Sequence, residues 1–163
     1  QVLRAGTVHP GKYLVLVGGD VADVEEALDA GVHSGGLAVR DVTFLANVHP
    51  EVIEGVRGRR RAAQDEALGI IETATVPAII RAADAGLKGA RVRLLELHLA
   101  DDLGGKGYLL FDGTVTDVEA AVEIGTAAIG EARGLHARVI AQLHTEMASE
   151  LAADGRFASR VSD

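Results

Sequence analysis

The chain has 163 residues, 48% of them apolar but only 3% aromatic, so its core must be filled with Val, Leu, Ile and Ala. That suits one ordinary domain or two small ones in which helices lie close on a sheet. A formal net charge of -8, from 24 acidic and 16 basic residues, repels a phosphate backbone and disfavours nucleic acid, and the lack of cysteine removes disulfides, thiolate metal sites and any Cys nucleophile.

Self-similarity organises the sequence. Residues 11–31, GKYLVLVGGDVADVEEALDAG, align without gaps on residues 105–125, GKGYLLFDGTVTDVEAAVEIG. A second match sets Ala46-Asn47-Val48-His49-Pro50-Glu51 beside Ala141-Gln142-Leu143-His144-Thr145-Glu146. The earlier copy, residues 1–54, begins halfway through the unit, at its second strand. By the spacing of the later copy, roughly 28 residues would precede Gln1. A half-unit alone would leave a sheet and a helix face uncovered, so the covering strand and helix are expected from elsewhere.

Residues 55–66, with Arg57, Arg59, Arg60 and Arg61, read as a linker, and a solvated charge run is the favoured reading over a contact with an acidic partner. The later copy spans residues 67–147. Ala67 to Glu72 reads as a buried strand. Thr75 caps a helix with Pro77 in its first turn, and Val76, Ile79, Ile80, Ala83 and Leu87 share one face. Val92 to Leu99 and Gly107 to Phe111 are the next strands. Thr116-Asp117-Val118-Glu119 has a capping-box pattern, ahead of a helix lined by Val118, Ala121, Val122 and Ile129. Ala137, Val139, Ala141 and Leu143 alternate with polar neighbours as a half-exposed strand. Glu146 to Leu151 reads as a short helix. Residues 148–163 form a tail, frayed from Asp154 onward. The order β-α-β-β-α-β gives an α/β (α+β) fold of tandem units, the first lacking its N-terminal strand and helix. No stretch reads as a secretory signal or a membrane span.

Four stretches of the later copy resemble the bacterial microcompartment shell domain: Ala67-Leu68-Gly69-Ile70-Ile71-Glu72-Thr73, Ala82-Ala83-Asp84-Ala85-Gly86-Leu87-Lys88, Gly104-Gly105-Lys106-Gly107-Tyr108 and Asp117-Val118-Glu119-Ala120-Ala121. Val8-His9-Pro10-Gly11-Lys12-Tyr13 and Leu45-Ala46-Asn47-Val48-His49-Pro50 are similar to the tandem type of propanediol-utilisation compartments. The resemblance implies a structural, non-enzymatic tile in a cytoplasmic compartment shell. It implies a homotrimer whose six units form a pseudohexamer, packed beside other shell proteins, with a central pore for small metabolites and no membrane or nucleic-acid partner. It assigns His9, Pro10, Gly11 and Lys12 and Asp102, Leu103, Gly104, Gly105 and Lys106 to the pore rim. Lys88, His49 and His144 fall at the tile edge.

Glycines there allow backbones to approach an axis and turn N–H groups into a hole. Lys12 and Lys106 have two readings, attracting anions at the pore or pairing with carboxylates behind the loops. Propanediol-type members hold an iron–sulfur cluster through a Cys at the position of His9. This chain has His9 there and no Cys, so no such cluster is expected and no other cofactor either. His9 reads as a polar rim residue, with a metal held by three copies of His9 as the minority alternative. Neither Gly-Lys loop is a P-loop, and no nucleophile, base and orienting group occur as a set. A trimeric small-molecule-binding regulatory protein of ferredoxin-like fold is the competing function.

Overall fold

The computed structural model describes residues 1–130 and 136–153. The expected fraying after Asp154 lies outside the described residues. Two strands, β1 (Val2–Val8) and β2 (Lys12–Val17), form an antiparallel hairpin with Val8 opposite Lys12. Helix α1 (Val21–Gly35) follows, then irregular chain to α2 (Pro50–Val56). The later copy supplies β3 (Ala67–Thr73), α3 (Val76–Gly89), β4 (Arg93–Leu99), β5 (Gly107–Gly113), α4 (Val115–Ile129), β6 (His136–Ile140) and α5 (Thr145–Ala152). Its four strands are antiparallel in the order β4-β5-β3-β6.

Alternation along the strands builds two apolar layers. Ile71, Leu97, Leu109 and Phe111 face α3 and α4, where Ile79, Ala82, Ala83 and Ala121 complete the main core. Leu68, Leu95 and Leu110 face the other way, under Ala63, Leu143 and Leu151. The helical face read from the sequence of α3 is buried throughout. Thr75 caps it, its Oγ1 accepting from the Ala78 N–H.

Three expectations need correction. The cap of α4 is Thr114, not Thr116: its hydroxyl accepts from the Asp117 N–H and donates to the Asp117 carboxylate, so the reciprocal pair sits two residues earlier. Strand β6 stops at Ile140, because Glu72 to Leu68 of β3 supply its only partner register; Leu143 instead donates its N–H to Glu66 O and packs on the outer layer. The earlier copy forms no counterpart of β6. In the later copy that strand pairs with β3, and residues 1–54 contain no β3 equivalent, so the stretch after α1 and its 3-10 turn has no ladder to join.

That stretch docks on the later copy. The Asp41 carboxylate accepts from Thr75 Oγ1, Val42 O from Arg81, and Asn47 O from Lys88. Helix α2 lies on β4 with Val52 buried, and a Cβ at Gly55 would stand 2.8 Å from Leu97 Cβ. By contrast α1 buries no residue. Ala27 and Gly31 are exposed where their repeat equivalents, Ala121 and Gly125, are buried against α3.

The arginine run is only in part a solvated linker: Arg57 and Arg59 stay exposed, whereas Arg60 and Arg61 are half-buried. Arg59 pairs with Glu54, Arg60 with Glu96 (2.8 Å) and Arg61 with Glu51 (2.8 Å). Farther along, Asp112, fully buried, accepts the backbone N–H groups of Gln64 and Asp65 and the Arg93 guanidinium. Buried carboxylates persist only when paired and hydrogen-bonded, and here the charge partner comes from β4 and the two backbone donors from the connecting segment.

Candidate functional site

The site begins with two loops that the repeat made equivalent. Between β1 and β2 the turn is His9-Pro10-Gly11, with a cis His9–Pro10 bond and Gly11 at φ +66. Between β4 and β5 the loop runs from Ala100 to Lys106. It closes on itself: the Ala100 N–H donates to Lys106 O at 2.8 Å, and Ala100 O accepts from Leu103 and Gly105, both at 3.2 Å. Ala100, Asp102, Gly104 and Gly105 all take positive φ, from +61 to +82, the region glycine enters without steric cost.

The two loops meet. Lys12 Nζ donates to Gly104 O at 2.9 Å across a sequence separation of 92 residues. A Cβ on Gly104 would lie 3.6 Å from Pro10 Cδ, and one on Gly105 2.7 Å from Lys12 Cδ. At Gly104 the positive φ favours glycine, and the contact with Pro10 is ordinary packing; Gly105 is also crowded by the Lys12 side chain. An open depression of ≈ 470 Å³ runs along the first hairpin past Thr7, His9, Gly11 and Lys12. His9, Pro10, Gly11, Lys12 and Asp102 are exposed, Leu103 and Gly104 half-buried, and Gly105 buried.

Of the two lysines, Lys106 pairs with the Glu72 carboxylate at 2.8 Å and Lys12 is spent on the Gly104 carbonyl. Both therefore lie along the loops as braces. His9 has no ligand set around it within one chain. Among the described residues no three His, Asp or Glu side chains gather where a metal ion would fit.

The other singled-out residues have local work. His49 and His144 are N-caps: each Nδ1 accepts from the N–H two residues on, Glu51 and Glu146, at 3.3 Å. Lys88 reaches Asp84 and the Asn47 carbonyl at the end of α3, favourable to the helix macrodipole. Asp84, 4% exposed, also accepts the His49 N–H at 2.8 Å, so it joins the two copies.

Sequence reasoning missed the carboxylates that carry this framework. Glu51 Oε2 accepts the Leu94 N–H at 2.7 Å, where the register of β4 slips between Leu94 and Glu96. Glu96, 6% exposed, accepts from Tyr108 Oη and from Arg60, both at 2.8 Å. Burial, and then Glu96 itself, push the Tyr108 phenol above its ordinary range, so it stays a donor. The exposed Glu54 carboxyl is held below its usual range by the Arg59 hydrogen bond and charge. The signal was available: acidic residues inside apolar strands, ahead of which runs a string of arginines.

Comparison with known proteins then supplies the family. The BMC domain model matches residues 1–48 and 67–143, the two copies of the repeat. The bacterial microcompartment shell protein PduT of Citrobacter freundii is 36% identical over 149 residues, covering 90% of this chain and 80% of that one. The chain belongs to the BMC family of bacterial microcompartment shell proteins. A crystal structure of a microcompartment protein from Desulfitobacterium hafniense DCB superposes with a TM-score of 0.73 at 34% identity, covering 90% of this chain and 82% of that one. The carboxysome assembly protein CcmO of Synechocystis sp. is 32% identical over 82% of this chain, which spans 49% of that longer relative. As a BMC shell protein the chain is structural and not an enzyme, in a tandem α/β fold. The regulatory alternative gains no support from these relatives.

Proposed function

We propose that this BMC chain is a shell tile that assembles as a homotrimer. Six units then form a pseudohexamer, and the paired hairpins ring a pore for small metabolites. The observation that carries the reading is the meeting of the two hairpins through Lys12 and Gly104. Each chain would thereby contribute one paired segment of a rim, and three such segments close a ring. His9, Pro10, Gly11 and Lys12 and Asp102, Leu103, Gly104, Gly105 and Lys106 form that rim. With Lys106 paired to Glu72, the uncompensated rim charge falls to Asp102 and to Lys12, whose ammonium donates to a neutral carbonyl and keeps its charge. The rim needs no cofactor. Any metal on His9 would require all three chains, and metal analysis of wild type against His9→Ala tests for it.

Lys88, His49 and His144 belong to the tile edge in this reading, where Lys88, 42% exposed, meets the neighbouring tile or another shell protein. Native mass spectrometry of the full chain should give three times 16.9 kDa, and electron microscopy should give extended sheets. Lys88→Ala should keep the trimer and lose the sheets. A monomer, or a closed oligomer that never forms sheets beside partner shell proteins, would overturn the proposal.

A further inference from the structure

We propose that His98 is a proton-dependent latch on the loop between β4 and β5. Its ring lies flat on Tyr108, with centroids 5.0 Å apart and planes 2° from parallel. That stacking fixes both ring nitrogens. Nε2 is 2.8 Å from the Asp101 carbonyl oxygen, and Nδ1 is 3.7 Å from Glu96 Oε1. Both partners are acceptors only: a carbonyl always is, and Glu96 is so when ionised.

Counting hydrogens decides what the ring can do. Neutral imidazole carries one N–H. Used on Asp101, it holds the loop but turns the Nδ1 lone pair toward a carboxylate oxygen. Used on Glu96, it sets the Nε2 lone pair against the Asp101 carbonyl and lets the loop go. Imidazolium always carries the Nε2 proton, so it donates to Asp101, while its charge faces Glu96 at 3.7 Å, within ion-pair reach though beyond a hydrogen bond. Proton uptake therefore closes the latch, and proton loss leaves the ring choosing between its partners.

The surroundings suit a cation. Glu96 on β4 is shared with Arg60 of the connecting segment and Tyr108 on β5, and Glu72 of β3, opposite Tyr108, is paired with Lys106. Asp101 adds its own carboxylate on the loop. Every neighbouring cation thus already has an anion. The held carbonyl belongs to Asp101, between Ala100 and Asp102, which both take a left-handed backbone that side chains disfavour. A loop so built responds to the loss of one restraint. Arg60 also donates to Leu151 O of α5, so the same Glu96 ties the latch to the C-terminal helix.

The test is a pH titration of the full chain by NMR. Imidazole nitrogen shifts report the His98 protonation state, and the amide signals of Leu103, Gly105 and Lys106 report the loop. These amides should move with the His98 midpoint. In His98→Gln, whose amide donates to Asp101 without titrating, they should stay fixed and held. In His98→Phe, which keeps the stacking and loses the donor, they should be pH-independent and exchange about fivefold faster, the opening factor for one net hydrogen bond. His9 lies beside this loop and His136 lies opposite Glu72, the partner of Lys106, so His9→Asn and His136→Asn serve as controls and should keep the response. Loop signals that ignore the His98 midpoint, or that still titrate in His98→Gln, would overturn the latch.

Discussion

At the scale of residues, the chain is held by carboxylates buried among apolar side chains. Asp112 is fully buried and answers two backbone N–H groups and Arg93. Asp112→Ala strands all three donors, and the expected loss is about 3 kcal/mol, as for one partner of a buried pair. Denaturant unfolding measures it; a loss well under about 1 kcal/mol would mean the connecting segment is held by something else. Asp112 stood in the sequence as an acidic residue at the end of an apolar strand. Its polarity marked it as needing partners, yet nothing local named them, because Gln64 and Asp65 lie almost fifty positions away. His49 and His144 show the reverse. Their repetition was plain in the sequence, and their capping role emerged only from backbone geometry.

At the scale of elements, α3 and α4 cross closely because small residues line the contact. A Cβ on Gly125 would sit 2.9 Å from the Ala82 carbonyl oxygen and 3.1 Å from Ile71 Cδ1. A backbone oxygen cannot swing aside, so Gly125→Ala should destabilise by about 1–3 kcal/mol despite the higher helix propensity of Ala. An unchanged midpoint on thermal unfolding would contradict this packing. The elements of the later copy were legible because local pattern and tertiary partner agree there. In the earlier copy the helix and hairpin form, but the stretch after α1 was not legible as irregular chain. Strand identity depends on a neighbouring edge, and residues 1–54 hold no equivalent of β3, the strand that pairs with β6 in the later copy. The cap of α4 was misread for a smaller reason: Thr114 and Thr116 both precede acidic residues at cap-box spacing, and only the backbone selects between them.

At the scale of the whole molecule, the connecting segment fixes how the two copies sit. Arginines on Glu51, Glu54 and Glu96, with Asp84 and Lys88 bridging to residues 47 and 49, hold the earlier copy on the later one. With the copies so tied, the two hairpins meet at Lys12 and Gly104, the contact on which the proposed tile rests. The repeat announced equivalent loops, but their contact is a property of the folded chain.

The chain has no native cysteine, so a single Cys introduced for His9 takes one spin label at the hairpin tip of each chain. Pulsed electron–electron resonance on the assembled protein should return one short distance with the modulation depth of three coupled spins. A monomer signal without dipolar modulation, or labels held far apart on the outside of the assembly, would contradict convergence of the hairpins on a common axis.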